Sequence, residues 1–310
     1  MMQVTFLGTS AALPTVDRNV SSLMVQREGE LLMFDCGEGT QRQMMRYTSG
    51  FAVEDIFITH YHSDHILGIP GLLRTLGLQG RTAPLRLHGP RGAQRQIGPL
   101  ITLGMDRPKF PVEIIELNAD QILSRGEYDI VVGEAKHKGE CFCYAIVERD
   151  RLGRFDPDLA RSIGIPEGPM WGKIHKGESI TLGDGRVVAP SELVGSPRPG
   201  RRVVISGDTG PSGSVTALAR GADLLIHEAT FGSDEQDRAA ETGHSTAAGA
   251  AMVARDAGAR RLVLTHISAR YTREAPELIA EAREVFPATD VARDGMVVEV
   301  PFRDAGMPAR

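Results

Sequence analysis

Two patterns of hydrophobic and polar positions alternate along the chain. Short apolar, β-branched runs recur in the first half ("VTFLG", "SSLMVQ", "ELLMFD", "DIFITH", "LRLHG", "VEIIEL", "YDIVVGEAKH", "CFCYAIVE") and again in the second ("RVVISGD", "DLLIHEA", "RLVLTH", "MVVEV"). Runs of this length and composition predict strands. Between them, apolar positions spaced along one helix face predict helices at Glu38–Tyr47, Ile66–Leu78, Gly92–Leu103, Ser212–Arg220, Ser245–Ala257 and Arg273–Val285. Strands punctuated by helices in both halves predict a layered α/β fold, with one α/β unit laid against another.

One stretch breaks the pattern. Residues 152–202 are rich in Gly and Pro and hold the chain's only tryptophan, Trp171. A short helix at Asp158–Ile163 and a hairpin around "LGDGR" fit inside it. It reads as an insertion projecting from an otherwise single domain spanning 1–310. Charge singles out the same region. The whole chain carries −5, but residues 151–202 hold nine Lys+Arg against six Asp+Glu, a net +3, leaving −8 elsewhere. The global balance argues mildly against a nucleic-acid binder, whereas a basic excursion on an acidic body could still hold a phosphate backbone. No apolar run approaches the roughly 20 residues that span a bilayer, and the start lacks a signal-peptide pattern, so the expected location is cytoplasmic, with no membrane partner. Three cysteines argue against a disulfide scaffold. Cys141 and Cys143, two apart in one predicted strand, are expected to be buried thiols rather than ligands.

The candidate chemistry gathers at strand ends. "DIFIT" leads to His60, "YDIVVGEAK" to His137, "RVVISG" to Asp208 and "RLVLT" to His266. A lone histidine there is usually a hydrogen-bonded turn residue, but layered sheets collect ligand groups along the edge where loops leave the strands. In extended chain, residues two apart point the same way, so His60 and His62 could grip one metal. Asp64 and His65, where the chain turns into a helix, could aim at a second. Imidazole and carboxylate without thiolate suit Zn²⁺, and also Mn²⁺ or Fe. The expected set is His60, His62 and His137 on one ion, Asp64, His65 and His266 on the other, and Asp208 bridging, with a bridging water completing the site.

His60-x-His62-x-Asp64-His65 followed by His137, Asp208 and His266 resembles the metallo-β-lactamase superfamily. The resemblance implies a four-layer αβ/βα sandwich with a dinuclear metal site at one edge. Further stretches, "FLGTSAALPTVDRN", "FDCGEGTQRQM", "THYHSDHILGIPGLL", "ISGDTGP", "HEATF", "GHST" and "LTHISARY", are similar to ribonuclease Z in its short form, the tRNA 3′-processing endonuclease. That likeness spans nearly the whole chain. It implies two Zn²⁺ per subunit, a precursor-tRNA substrate and a homodimer. It also implies that residues 152–202 form a flexible arm clamping the tRNA body, with Gly168-Pro169 at the arm's Gly-Pro motif. In the N-terminal loop, "PTVDRN" keeps Pro14, Arg18 and Asn19 but has Val16 and Asp17 where the family often places a lysine. This puts trailer preference in question, not the reaction.

The chemistry can also be reasoned from the residues. Phosphodiester hydrolysis needs a nucleophile, neutralised phosphoryl charge and a proton for the leaving oxygen. A hydroxide activated by two metals would supply the first, and Asp64 could take the water's proton. His244 in "ETGHSTAAG" is the candidate acid, with Glu228 of "HEATF" orienting it. The resemblance implies a tRNA 3′-hydroxyl and a trailer 5′-phosphate as products. Trp171, Lys173 and Lys176 make "PMWGKIHKG" a backbone grip to set beside Arg18, Asn19, Gly168 and Pro169 as substrate contacts. Two other readings stay open. A small-ester metal hydrolase (arylsulfatase, cyclic-nucleotide phosphodiesterase or thioesterase) shares the ligands but has no use for a basic arm. A catalytically silent RNA-binding relative needs the arm but not the complete ligand set.

Overall fold

The protein's structure, a computed structural model, describes residues 1–47, 49–104, 107–271 and 273–303. The described chain forms two compact units, one of Met1–Val147 with Arg202–Pro301 and the other of Glu148–Arg201 with the chain from Phe302.

The larger unit holds two seven-stranded sheets. Strands β1 (Met2–Gly8), β2 (Ser22–Arg27), β3 (Glu30–Phe34), β4 (Asp55–Phe57), β5 (Leu85–Gly89) and β6 (Val112–Glu116) belong to the first. Strands β7 (Ile122–Ser124), β8 (Tyr128–Ala135) and β9 (Cys141–Glu148) begin the second. After β10 (Ile180–Thr181) and β11 (Val187–Val188) of the smaller unit, β12 (Arg202–Ile205), β13 (Leu224–Glu228), β14 (Leu262–Thr265) and β15 (Thr289–Val291) complete the second sheet, and β16 (Val297–Glu299) closes the first. The orders are β16-β1-β2-β3-β4-β5-β6 and β15-β14-β13-β12-β9-β8-β7. Strands β3 to β6 run parallel to one another, as do β12 to β15. Parallel strands need helical crossovers on their faces.

Three buried layers result. Between the sheets, Phe6, Phe34 and Phe57 meet Phe142, Tyr144 and Ile226. On the outer face of the first sheet, Leu32's neighbours Met33 and Ile56 pack under Leu72, Leu76 and Ile97 of the helices Ile69–Leu78 and Ala93–Ile101. On the outer face of the second, Leu225 and Leu264 pack under Ala250, Ala254 and Leu278 of the helices Ala247–Asp256 and Pro276–Val285. This is helix, sheet, sheet, helix, the metallo-β-lactamase fold. Each fully buried Phe contributes about 1.5–3 kcal/mol through lost apolar exposure. The sheets are also bonded directly: Tyr144 Oη donates to Ile58 O at 2.7 Å, and Phe142 N donates to Thr59 O at 2.9 Å. At the far end, buried Asp55 holds Arg86, Arg125 and His88.

The helix expected at Ile66–Leu78 is two pieces, Ser63–Ile66 and Ile69–Leu78. Gly68 sits at the break because the chain passes close to another segment; a Cβ there would lie 2.0 Å from Gly37 O. Strands β7 and β15 and the helix Gln236–Thr242 were not legible as separate elements. All three cysteines are buried free thiols. Among the described residues no helix is long and apolar enough to cross a membrane.

The main segment of the smaller unit runs from Glu148 to Arg201, against the expected 152–202. It holds the helices Pro157–Ser162, Pro169–His175 and Pro190–Leu193 around a small core of Ala160, Ile165, Ile174, Ile180, Val188 and Leu193. The hairpin expected around "LGDGR" is β10 and β11.

Candidate metal centre

Seven side chains converge where β4, β8, β12 and β14 release their loops. His60 and His62 follow β4, and Asp64 and His65 lie in the one-turn helix beyond. His137 follows β8, Asp208 follows β12 and His266 follows β14. The first four therefore come from one sheet and the last three from the other. The potential ligand atoms of His60, His62, His137 and Asp208 lie within 4.8 Å of one another, as do those of Asp64, His65 and His266. Asp208 links the groups: Oδ2 is 3.6 Å from His60 Nε2 and 3.4 Å from His65 Nε2, while Oδ1 is 3.3 Å from His266 Nε2. Asp64 Oδ2 lies 3.5 Å from His65 Nε2 and 3.4 Å from His266 Nε2. These separations exceed ordinary hydrogen bonds; the atoms face shared centres rather than bonding one another. Nε2 of His60 and of His65 are buried without a hydrogen-bond partner. Buried polar atoms are seldom left so, and a divalent cation is the partner this donor set fits.

Four of the five imidazoles are held through their other ring nitrogen. His65 Nδ1 meets Asp35 Oδ2 at 2.7 Å, and His60 Nδ1 meets Thr59 Oγ1 at 3.0 Å. His137 Nδ1 meets Gly243 O at 2.8 Å, and His266 Nδ1 meets Thr230 Oγ1 at 2.8 Å. Such partners fix tautomer and ring orientation, as in metal sites generally. Ala12 N donates to Asp64 Oδ2 at 2.9 Å. Ala12, Asp35 and His266 all adopt left-handed φ, at 61°, 56° and 57°. That conformation costs non-glycine residues stability and clusters at functional sites. Asp35, Thr59, Thr230 and Ala12 escaped the sequence reading, although "FDCGEGT" and "HEATF" contain two of them.

The electrostatics follow from crowding and burial. Burial and the neighbouring His65 hold the His60 imidazole far below its usual range, favouring the neutral ligand form. Burial and His137 lower His62. Burial disfavours ionised Asp208, but His266, His65 and His60 outweigh it and keep the carboxyl well below the usual range. Asp64 is likewise lowered, against burial, by the adjoining His266 and His65. His65 is raised because Asp208 and Asp35 overcome its burial; a cation would have to displace that proton.

His244 stands beside the cluster. Its Nδ1 meets Glu228 Oε1 at 2.7 Å. Glu228 is buried and accepts three further bonds, from Thr209 N (3.1 Å), Thr230 N (3.0 Å) and Thr230 Oγ1 (2.8 Å). Burial opposes a charged imidazole, but Glu228's bond and charge raise the His244 pKa above its usual value. Thr246 caps the following helix, its hydroxyl accepting from Gly249 N. A cleft of about 440 Å³ opens past His244 and His266, lined by Leu13, Phe231, Arg238 and Arg270.

Other candidates fall elsewhere. The sequence pattern suggests Arg18 as a phosphate contact; the structure buries it to 3% exposure. Its guanidinium donates to Thr9 Oγ1, Ala292 O and Arg273 O, so it braces the N-terminal loop. Asn19 likewise donates to Glu38 O at 2.7 Å. Motif position could not reveal which way these side chains turn. In the smaller unit Gly168, Pro169, Lys173 and Lys176 are exposed. Trp171 is half-buried against Phe155, its Nε1 donating to Ile165 O.

Comparisons with known proteins agree with this fold. The metallo-beta-lactamase superfamily model matches residues 15–141, and the beta-lactamase superfamily domain model matches 158–267. A ribonuclease Z from Gemmatimonas aurantiaca is 59% identical over 96% of this chain and 95% of its own. One from Myxococcus xanthus is 52% identical over 98% and 99%. The crystal structure of human tRNase Z, short form, superposes with a TM-score of 0.70 at 30% identity, covering 97% of this chain and 100% of the other.

Proposed function

The chain belongs to the ribonuclease Z family, and from that premise we propose that it removes the 3′ trailer from precursor tRNA as a zinc-dependent endoribonuclease. The observation that carries the reading is the convergence of five imidazoles and two carboxylates, with two buried Nε2 atoms lacking partners, beside the Glu228–His244 pair.

His60, His62 and His137 would hold one ion and Asp64, His65 and His266 a second, with Asp208 offering an oxygen to each. Bound there, divalent ions supply Lewis acidity toward phosphoryl oxygens and bring water's pKa to about 7. The chain's own groups do the rest. Asp64, ionised and oriented by the Ala12 amide, accepts the proton of the attacking water. His244, charged through Glu228, delivers a proton from Nε2 to the departing 3′-oxygen. This leaves a tRNA 3′-hydroxyl and a trailer 5′-phosphate. The departing oxygen belongs to the nucleoside retained on the tRNA, so the cleft past His244 is the place for that nucleoside, with Phe231 as an apolar wall and Arg238 and Arg270 beside it.

The smaller unit would act as the arm that grips the tRNA body through Gly168, Pro169, Trp171, Lys173 and Lys176. Its exposed lysines and net positive sequence support this. A homodimer and a cytoplasmic location are the settings that family membership suggests; sedimentation of the purified protein tests the first. The central experiment incubates the protein with a trailer-bearing pre-tRNA, with and without chelator, and maps the cut. A cut after the discriminator position, abolished by chelator and restored by Zn²⁺, is expected. Deleting residues 152–200 should spare hydrolysis of bis(p-nitrophenyl) phosphate and collapse pre-tRNA cleavage; loss of neither points to a small-ester hydrolase instead.

A further inference from the structure

Two paired segments, here the stalk, carry the chain into and out of the smaller unit. Arg151 N donates to Arg198 O at 2.8 Å and Arg198 N donates to Arg151 O at 2.9 Å. Glu148 N donates to Arg201 O, Gly195 N to Arg154 O and Asp156 N to Leu193 O. The strands run close at the root: a Cβ on Gly200 would lie 2.3 Å from Glu148 O. Arg201 is buried there, its Nε and Nη2 each 2.7 Å from a Glu148 carboxylate oxygen.

A third segment joins this root. The chain passes between the two units after Val147, after Arg201 and again after Pro301. Phe302, the first residue beyond the last crossing, packs its ring against two guanidinium groups at once. Arg151 Cζ is 3.5 Å and Arg201 Cζ 3.8 Å from the ring centroid. Cations within about 6 Å of an aromatic face are attracted by its quadrupole, most strongly when desolvated, as Arg201 is. One arginine comes from each stalk strand, so a single ring ties both. The arm's own apolar core is built without Phe302.

We propose that Phe302 is a latch on the stalk, pinning its two strands to each other and so keeping the base of the smaller unit closed. Phe302 is thus a positioning residue for RNA processing, a consequence that rests on the arm reading above. A stalk that lost this ring would fray more readily, because a pair of strands is at best marginally stable in water.

Hydrogen exchange on the full-length protein tests the latch. In Phe302→Ala, and in Phe302→Leu, which keeps apolar bulk but loses the quadrupole, the amides of Arg151 and Arg198 should exchange about tenfold faster. Phe302→Tyr should exchange like the parent. KM for pre-tRNA should rise in the first two and return in the third, with kcat and bis(p-nitrophenyl) phosphate hydrolysis unchanged. Stalk exchange at the parental rate in both Ala and Leu variants overturns the latch. Loss of small-diester hydrolysis would place Phe302's role outside the stalk and overturns it equally. Faster exchange with an unmoved pre-tRNA KM upholds the latch and refutes the arm's part in RNA binding.

Discussion

Glu228→Gln is the most informative single change at this centre. Glu228 receives four donors: Thr209 N and His244 Nδ1 on one oxygen, Thr230 N and Thr230 Oγ1 on the other. A carboxylate accepts them all, but a carboxamide has one acceptor side and must turn an NH₂ toward the other pair. Whichever way it flips, N–H faces N–H in a buried place, a loss of about 1–3 kcal/mol of stability. The catalytic loss is separate. A hydrogen bond to a charged group is worth about 1.5–3 kcal/mol, and at about 1.4 kcal/mol per tenfold kcat should fall about 10- to 100-fold. Glu228 raises the His244 pKa against burial, so its neutral replacement lowers that pKa. The acid form is present below the pKa, and the alkaline limb of kcat should therefore move to lower pH. Thr230 offers a control. Its hydroxyl donates to Glu228 and accepts from His266 Nδ1, so Thr230→Val should weaken metal retention about 10–100-fold while leaving the alkaline limb in place. The assay is kcat against pH on pre-tRNA, with bound metal measured by mass spectrometry. Parental kcat and an unshifted limb in Glu228→Gln would remove His244 from its role as acid.

Three further outcomes are expected. His244→Ala should lower kcat by about 10²–10⁴-fold with bound metal unchanged; a metal-free variant would mean that His244 is a ligand. Asp55→Asn should cost about 3–5 kcal/mol by urea unfolding at pH 7, because it strands Arg86 and Arg125. Against burial, the arginines and His88 hold the Asp55 carboxyl below the usual range. Its contribution is then complete above the unfolded carboxyl pKa of about 4 and is lost as pH falls toward the folded value, so the gap between parent and variant should narrow on acidification. Gly68→Ala should destabilise by about 1–3 kcal/mol or more, since a Cβ there meets Gly37 O and Cys36 O, and thermal melts with and without Zn²⁺ would register it.

Much of this was readable before folding. The alternating strand and helix patterns located the layers because each element's period follows from its backbone geometry. The clustering of the seven candidate side chains was readable because four of them follow apolar strand runs and the other three lie within five residues of His60. Short elements such as β7 and β15 lack enough residues to display a period. Arg18 deceived for another reason: a guanidinium in a polar loop looks solvated until the fold surrounds it with Thr9 and two carbonyls. The left-handed turns at Asp35 and His266 were hidden too, since neither residue is glycine and tertiary bonds impose the conformation.

The ligands' divided origin has a wider consequence. Four of these candidates come from the first sheet and three from the second, so any ion held there would also clasp the two sheets across the aromatic layer of Phe57 and Tyr144. Cation affinity and cohesion of the sandwich are then one linked quantity. Trimming Tyr144, which is not itself one of the candidate ligands, should loosen the ions by the same free energy that their removal takes from the packing of that layer. Stripped of the divalent ions it would hold there, the protein should be more easily opened to proteolysis.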